Sequence, residues 1–586
     1  MNFLDSLQPD DLAIVEQSLE TVRFSEGACI IEQGSKGEGF YIIDEGRVRI
    51  EFDTGETDTD VVLRYLEPGA VMGEFSLVDD EPRSANAYAH TDVVARWLST
   101  AEFDKIAQEH PHVGVRMLSA FCRNLADMVR QMTGRIADFA APDTPPAFVE
   151  DMIARAKAAQ QAFADWPEER VDALLEDVAE AIAGQAEDLG RASVEVTGLG
   201  VAEDKALKIR FGSLEVFKTL VGRPASGLVL ADDGNRVTEI ASPFGVVLGL
   251  IPLTNPVSTM AFKTLICLKS RNALILSCHR GALPVGNQAG EIIQAVLKQH
   301  GAPVDLVQWI KERTSRRLTS MFMAHKDVSF ILATGGPSMV HAAYSSGTPA
   351  IGVGPGNAPV WICPDADLDA AAEMVIHSKS FDNGVICGSE NNLVVDASVC
   401  GDFIAALEAH GAAVLSPDEV ETLTPHVIDS DKGRLHRDVV GLSAQRIAER
   451  AGIRREGPIR LLVVPQASDQ VEGPYGREKL APILSLFTVN GEAEAVDLCK
   501  RILANEGIGH TAIIHTKDPS RINRFGMEMP ASRVLANSPG SQGCIGLGTG
   551  LTHSLTLGCG TWGSTSTTDN VSFGHLLNIK RIAQAL

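Results

Sequence analysis

The sequence predicts a multidomain chain, with a small antiparallel β-roll and its helices first and an α/β region on a doubly wound parallel sheet after it. Three observations point there. At 586 residues the chain exceeds what one hydrophobic core supports and suggests roughly three to four domains. Up to about Thr133, short apolar runs recur at close spacing with glycines between them. From Gly245 onward, apolar strands alternate with amphipathic helices, as in parallel βαβ units.

Residues 10–19 read as a short helix opened by acidic residues. Ala28 to Ile31, Phe40 to Ile43, Val48 to Phe52 and Val61 to Leu66 read as strands, and Val93 to Leu98 ends the set. Val113 to Met132 then carries Val113, Met117, Leu118, Phe121, Leu125, Met128 and Val129 at helical spacing. Gly134 to Pro146, with Pro142, Pro145 and Pro146, reads as a linker, and no basic recognition helix follows it.

Phe148 to Leu189 reads as alanine-rich helices, and Ala202 to Leu220 as one further helix. Strands follow at Gly245 to Leu253, Ala273 to Ser277, Val328 to Ala333 and Ala350 to Val353. The helices between them are Ser258 to Lys269, Val285 to Gln299 and Ser338 to Ser345. Such a sheet is the usual home of a dinucleotide, yet no G-x-G-x-x-G follows the first strand, so an ordinary Rossmann site is not supported.

A formal net charge of -25 argues against a large nucleic-acid-binding face, which needs clustered Lys and Arg. The start, Met1 to Asp5, lacks a signal-peptide pattern, and no apolar run reaches the length of a membrane span. Ten cysteines without a C-x-x-C pair read as reduced thiols, so a cytoplasmic protein with no nucleic-acid or membrane partner is expected. No metal is expected.

The chemistry centres on Ser380-Phe381-Asp382-Asn383-Gly384-Val385-Ile386-Cys387-Gly388-Ser389-Glu390. A cysteine after a polar, glycine-containing turn and before the apolar run Leu393 to Val395 suggests a thiol at the edge of a sheet, open to a cleft. A thiolate attacks carbonyl carbon readily and suits covalent acyl chemistry. A cysteine is more often a small buried apolar residue, and the stretch alone does not decide between the two.

In the first domain, Val71-Met72-Gly73-Glu74-Phe75-Ser76-Leu77 leads through Val78 to Glu81 into Pro82-Arg83-Ser84-Ala85-Asn86-Ala87. With Gly34, Gly46 and Arg47-Val48-Arg49-Ile50, this resembles the phosphate-binding cassette of cyclic-nucleotide-binding domains. A helical turn starting near Gly73 offers free N–H groups to an anion. Arg83 is able to fork onto a cyclic phosphate and Glu74 to accept from a ribose hydroxyl. The resemblance implies a site at Gly73, Glu74, Arg83 and Ser84, with cAMP favoured over cGMP. A fold of this kind with an empty pocket is the plainer alternative.

Further motifs are Ile251-Pro252-Leu253-Thr254-Asn255-Pro256, Leu332 to Pro337, Gly352 to Pro359, Glu478-Lys479-Leu480-Ala481-Pro482, Gly507 to Thr511, Leu557 to Gly563 and His575 to Lys580. Together they resemble the CoA-acylating branch of the aldehyde dehydrogenase superfamily, most closely the dehydrogenase half of bifunctional aldehyde–alcohol dehydrogenases, over nearly all of Pro145 to Leu586. The resemblance implies Cys387 as the acyl-accepting nucleophile and Asn255 as an oxyanion donor. Without the family, an Asn before a Pro is a turn former. His510 is implied as a proton shuttle or CoA contact, though a lone His in a glycine turn is as readily structural. The cofactor, NAD or NADP, is assigned to Pro252, Thr254, Ser277, His279, Thr334, Gly335, Gly336 and Glu478, with coenzyme A as co-substrate.

Two departures matter. Hydrolytic members carry a water-activating glutamate where this chain has Val353, so a thioacyl-enzyme here waits for a thiol. Near Ser277-Cys278-His279-Arg280-Gly281, relatives carry a proline at Cys278 and a Pro-Arg pair at Arg280-Gly281, which leaves NAD against NADP open. Arg280 is a candidate partner for a 2′-phosphate.

The organisation expected is a cyclic-nucleotide-binding domain at 1–133, a linker at 134–146, a dinucleotide-binding part at 147–355, a catalytic domain at 356–540 and a closing segment with oligomer contacts at 541–586. The expected activity is an acylating aldehyde dehydrogenase, equivalently an acyl-CoA reductase, regulated by a cyclic nucleotide and forming a dimer or tetramer. The alternatives are a hydrolytic dehydrogenase giving a free acid, or a cyclic-nucleotide-responsive binding protein on an inactive scaffold. The acyl group is open, from acetaldehyde to sulfoacetaldehyde or succinate semialdehyde.

Overall fold

The computed structural model describes residues 8–52, 61–74, 82–122, 146–232, 236–311, 315–429 and 433–585. It forms two compact units, Met1–Asp143 and Thr144–Leu586.

The first unit is the expected antiparallel roll. One four-stranded sheet runs Glu20–Phe24, Val93–Ser99, Gly39–Glu45, Val71–Met72, and the other Cys29–Ile31, Asn86–Ala89, Val48–Phe52, Val61–Leu66. Alternation along Gly39–Glu45 turns Phe40 and Ile42 inward, where they meet Leu98, Phe103, Ile106 and Phe121. Helix Thr100–Glu109 starts at Ser99, whose Oγ accepts from Glu102 N and satisfies one free donor of the first turn. The chain is helical again over 111–122. The remainder of the helix expected to Met132, the linker up to Pro145 and the segment Phe75 to Glu81 lie outside the described residues.

The second unit opens with helices Ala147–Phe163, Glu168–Gly184 and Ala186–Thr197. The single helix expected over Ala202 to Leu220 is interrupted: Ala202–Arg210 and Val216–Leu220 flank a π turn at Phe211–Glu215. Close packing accompanies the wider turn, since a Cβ on Gly212 would lie 2.6 Å from the Ser258 carbonyl oxygen. His553 Nδ1, 3.1 Å from Glu215 O, meets a carbonyl that the altered ladder exposes.

The expected parallel sheet has five strands, in the order Val307–Trp309, Ala273–Cys278, Val246–Ile251, Phe330–Ala333, Ala350–Gly352. Every pair is parallel, and the strands are buried on both faces, hence their continuous apolar sequences. The order reverses between Val246–Ile251 and Phe330–Ala333, which opens a crevice at their C-terminal ends. Beneath it the fully buried Lys263 Nζ donates to Leu250 O (2.6 Å) and Leu332 O (2.7 Å), tying the two strand ends together.

A second parallel sheet of seven strands runs Ala412–Val414, Leu461–Gln466, Ile483–Val489, Glu390–Asp396, Ala358–Ile362, Gly509–His515, Ala531–Ala536. A three-stranded antiparallel sheet, absent from the sequence reading, joins Leu577–Ala583 to Val237–Pro243 and Gly227–Asp232. Leu228, Leu230 and Ile582 stand exposed on it.

Candidate active site

Cys387 lies just past three successive left-handed residues, Asp382, Asn383 and Gly384, with φ of 48°, 53° and 74°. For the two non-glycine residues this costs about 1–2 kcal/mol each, so the surroundings must hold them. The Asp382 carboxylate, fully buried, accepts from Lys205 Nζ and Lys208 Nζ, both at 2.6 Å, and from Val201 N at 2.8 Å. Its backbone N–H donates to Asp204 at 2.7 Å, and Asn383 Nδ2 donates to Gly441 O at 2.8 Å. Gly200 is required beside this cluster, because a Cβ there would lie 1.9 Å from Asp382 Oδ1.

The same lysines reach the Asn255 loop. Lys205 Nζ donates to Thr254 O at 2.7 Å. Lys208 Nζ donates to Asn255 Oδ1 at 3.0 Å and to Val385 O at 2.8 Å. Asn255 Nδ2 donates to Val385 O at 3.3 Å. The structure therefore brings Asn255 and the Cys387 loop together through a buried charge cluster that the sequence reading missed. Two lysines three apart on one helix read as a solvated face, whereas here both are almost fully buried.

The expected sheet-edge position of the cysteine is corrected. Cys387 precedes Glu390–Asp396, the central strand of seven, and stands at its N-terminal end with paired strands on both sides. Gly388 lets the chain pass Cys544, since a Cβ there would lie 2.1 Å from that sulfur. Cys387 is itself only partly buried, yet the protein around its sulfur pushes the thiol up to about 12. Burial is the main cause, and the Glu478 and Cys559 charges add to it while Arg533 opposes. At rest the Cys387 sulfur is therefore a thiol, and any attack by it must pass its proton on.

Glu478 Oε1 accepts from Gly356 N at 3.1 Å. Gly356 in turn abuts the cysteine: a Cβ there would lie 1.6 Å from Cys387 O. Burial, then the neighbouring Glu506, raises Glu478 to about 8. His510 is fully buried, its Nδ1 2.9 Å from Thr511 Oγ1, and its Nε2 has no partner among the described residues. Burial and the Arg533 guanidinium hold it well below the ordinary histidine range, so the ring is neutral. Arg533, which the sequence reading passed over, donates to Gly558 O at 2.6 Å and is electrostatically coupled to Cys387, Cys544 and Cys559. Val353 is buried directly after strand Ala350–Gly352.

Pro252 and Thr254, Ser277, and Thr334 with Gly335 and Gly336 fall at or just beyond the C-terminal ends of three neighbouring strands, two of them flanking the crevice. Gly336 is the N-cap of Pro337–Tyr344 and no side chain caps that helix; Met339 and Val340 N–H donate to Gly336 O, which leaves the Gly336 and Ser338 N–H groups for an anion. Thr334 Oγ1 is buried with no partner among the described residues. Ser277 Oγ lies 3.4 Å from Thr319 Oγ1. His279 is exposed beside Arg280 and its Nδ1 accepts from Gly281 N at 3.1 Å, a local turn contact.

In the first unit, Ile31, Ile50, Met72, Gly73, Glu74 and Arg83 line a pocket that Ser84 also borders. The Arg83 backbone pairs with the Gly34–Ser35 turn, and its guanidinium donates to Gly73 O and Gly39 O. Gly73 has φ 83°, and a Cβ there would lie 2.5 Å from Arg83 Nη1. Glu74 is buried beside this guanidinium.

Comparison with known families agrees with both halves. Residues 132–555 match the model of the aldehyde dehydrogenase family, and residues 21–110 that of the cyclic nucleotide-binding domain. The bifunctional aldehyde-alcohol dehydrogenase of Escherichia coli is 39% identical over 438 residues, 74% of this chain and 49% of that protein. The chain thus spans about half the length of the first curated relatives it matches. Sulfoacetaldehyde dehydrogenase of an Acholeplasma species is 36% identical over 74% of this chain and 90% of that protein. Among solved structures, an acetylating aldehyde dehydrogenase from Geobacillus thermoglucosidasius is 40% identical with a TM-score of 0.72, covering 75% of this chain and 96% of that one. Propionaldehyde dehydrogenase of Rhodopseudomonas palustris, solved with bound CoA and an acylated cysteine, is 26% identical with a TM-score of 0.67, covering 74% and 97%.

Proposed function

The chain belongs to the aldehyde dehydrogenase family, and from that premise we propose that it is an acylating enzyme interconverting an aldehyde and CoA with an acyl-CoA. The carrying observation is Val353, a buried apolar side chain where hydrolytic members hold their water-activating glutamate. The relatives named as acetylating, and the solved relative with CoA and an acylated cysteine, support the same reading.

In the oxidative direction Cys387 Sγ adds to the aldehyde carbon. The Asn255 amide and the Cys387 backbone N–H receive the oxyanion. A nicotinamide dinucleotide, NAD or NADP, supplies the hydride acceptor when bound. The crevice fits its diphosphate, with the Gly336 and Ser338 N–H groups at the helix start and a Thr334 hydroxyl without a partner among the described residues, and the Glu478 carboxyl is the group for a ribose. The Cys387 thioester then has no glutamate at the Val353 position to recruit water, and CoA thiol displaces the acyl group. Neutral His510, whose Nδ1 lies 2.9 Å from Thr511 Oγ1, accepts the CoA thiol proton at its Nε2, unpartnered among the described residues, in the tautomer that carries the ring proton on Nδ1.

The test is incubation with aldehyde and oxidised cofactor, with and without CoA. Without CoA, one burst of reduced nicotinamide is expected, limited to about one equivalent per active site. Steady release of free acid at a rate comparable to the CoA-dependent one would instead place the protein with the hydrolytic members.

The first unit carries the proposal of a regulatory cyclic nucleotide, cAMP favoured, seated with its phosphate towards Arg83 and its ribose towards Glu74. A homo-oligomer is proposed as well, with the three-stranded sheet, on which Leu228, Leu230 and Ile582 stand exposed, as its contact element.

A further inference from the structure

An ammonium donates and never accepts, and this bears on the orientation of Asn255. A side-chain amide has an oxygen end and a nitrogen end of nearly equal shape, so its direction is set by its partners. Lys208 Nζ faces Asn255 Oδ1 at 3.0 Å, and no turned amide satisfies that contact, because two donors would then oppose each other. The ammonium is itself fixed from two other sides, by Asp382 Oδ2 at 2.6 Å and Val385 O at 2.8 Å. Asn255 Nδ2 is left facing the nucleophile loop, where Val385 O takes one of its hydrogens at 3.3 Å and the second remains for another acceptor. Asn255, Lys208 and Val385 form a closed ring of contacts two residues upstream of Cys387.

We propose that Lys208 is a positioning residue for acyl transfer: clamped by Asp382 and the Val385 carbonyl, it locks the Asn255 amide with its oxygen inward and its N–H towards the developing oxyanion. This rests on the reading of Asn255 as the oxyanion donor. Lys208 touches no reacting atom; it determines which end of another side chain does.

A separation of two reactions at the same sulfur tests this. Acylation of Cys387 by p-nitrophenyl acetate passes through a tetrahedral oxyanion: the thiol sulfur bonds the carbonyl carbon, p-nitrophenolate leaves, and the thiol proton goes to solvent. Alkylation by iodoacetamide displaces iodide at saturated carbon and forms no oxyanion. Both are followed by mass spectrometry of the peptide carrying Cys387, in the full-length protein. Lys208→Met should slow acylation by about 10- to 100-fold, short of or equal to loss of an oxyanion donor, and leave alkylation within about twofold. Asn255→Ala should slow acylation at least as much, and Lys208→Met added to it should cost little more, since the amide to be oriented is gone. Lys208→Gln, which offers an acceptor as well as a donor, is the second variant should the first not fold, with the same separation expected. Unchanged acylation in the Lys208 variants, or equal loss of acylation and alkylation, overturns the proposal while Asn255→Ala still shows its defect. Unchanged acylation in Asn255→Ala removes the donor assignment itself and the proposal with it.

Discussion

Replacing Asp382 by Asn tests whether the buried charge cluster holds the nucleophile loop. The wild-type carboxylate is fully buried and accepts from two ammonium groups through one oxygen and from Val201 N through the other. Asn has the same shape but one acceptor, so in either orientation an NH2 group faces a donor. In either orientation two cations remain buried without their counter-ion, and with the amide nitrogen towards the lysines both of their contacts are lost as well. Breaking a buried pair in this way costs about 3–5 kcal/mol. The cost should also depend on pH. Lys205 is already lowered to about 8 by burial and by Lys208, against Asp382, which raises it. Without Asp382 its folded value falls further, while the unfolded value stays near 10.5. Above the new folded value the unfolded chain binds more protons, so the variant gains stability relative to wild type as pH rises from 7 to 9. Four of the five tryptophans, Trp166, Trp309, Trp361 and Trp562, lie in the second unit, so fluorescence in a urea titration reports chiefly on its unfolding. A loss below about 1 kcal/mol at pH 7, or a gap that widens at pH 9, would refute the reasoning.

Cys387→Ser should reduce turnover to below a few per cent with cofactor affinity nearly unchanged, measured by steady-state kinetics beside fluorescence titration of the nicotinamide; retained turnover removes Cys387 from the chemistry. Glu478→Gln should alter the pH dependence of stability. Burial raises Glu478 from 4.5 to about 8, so its protonated form contributes stability that is complete below 4.5 and lost as pH rises through 8. Wild type should therefore lose more stability than the variant between pH 5 and 8, by roughly 2–4 kcal/mol, and parallel profiles would count against the raised value. Arg83→Ala should abolish calorimetric binding of cAMP. If the nucleotide regulates, wild-type cofactor or substrate affinity should shift by roughly 5–150-fold on its addition, and reciprocally. Binding unaffected by the substitution would refute the phosphate contact.

Much of the architecture was legible in the sequence, and the reasons are specific. Strands such as Val246–Ile251 and Ala273–Cys278 are buried on both faces, so they read as uninterrupted apolar runs bounded by turns. Val307–Trp309 was too short to register, and Val237–Pro243 is half-exposed with its partner Leu577–Ala583 some 340 residues away in the chain. The π turn at Phe211–Glu215 left no mark because helical periodicity runs through it. At the active site, the residues that resemble a family motif were named in advance. The residues that hold them were not: Lys205, Lys208 and Arg533 are cations whose burial depends on partners brought in by the fold. Even the stretch around Cys387, quoted whole, did not announce that Asp382 is the anchor of its own loop.

The wide sequence separation of that anchor has a consequence during synthesis. The Asp382 carboxylate pairs with Lys208, made 174 residues earlier, but Asn383 needs the Gly441 carbonyl, 58 residues later, and Lys379 needs Lys479 O, 100 residues later. At about 5–20 residues per second, the thiol spends several seconds outside the ribosome or in transit before its pocket is able to close. In that interval Cys387 is an ordinary cysteine with a pKa near 9.0, whereas folding pushes it up to about 12. A larger fraction is thiolate on the nascent chain than in the resting enzyme. The newborn chain is thus more open to oxidants and alkylating agents than the folded protein, in which burial keeps the Cys387 sulfur protonated.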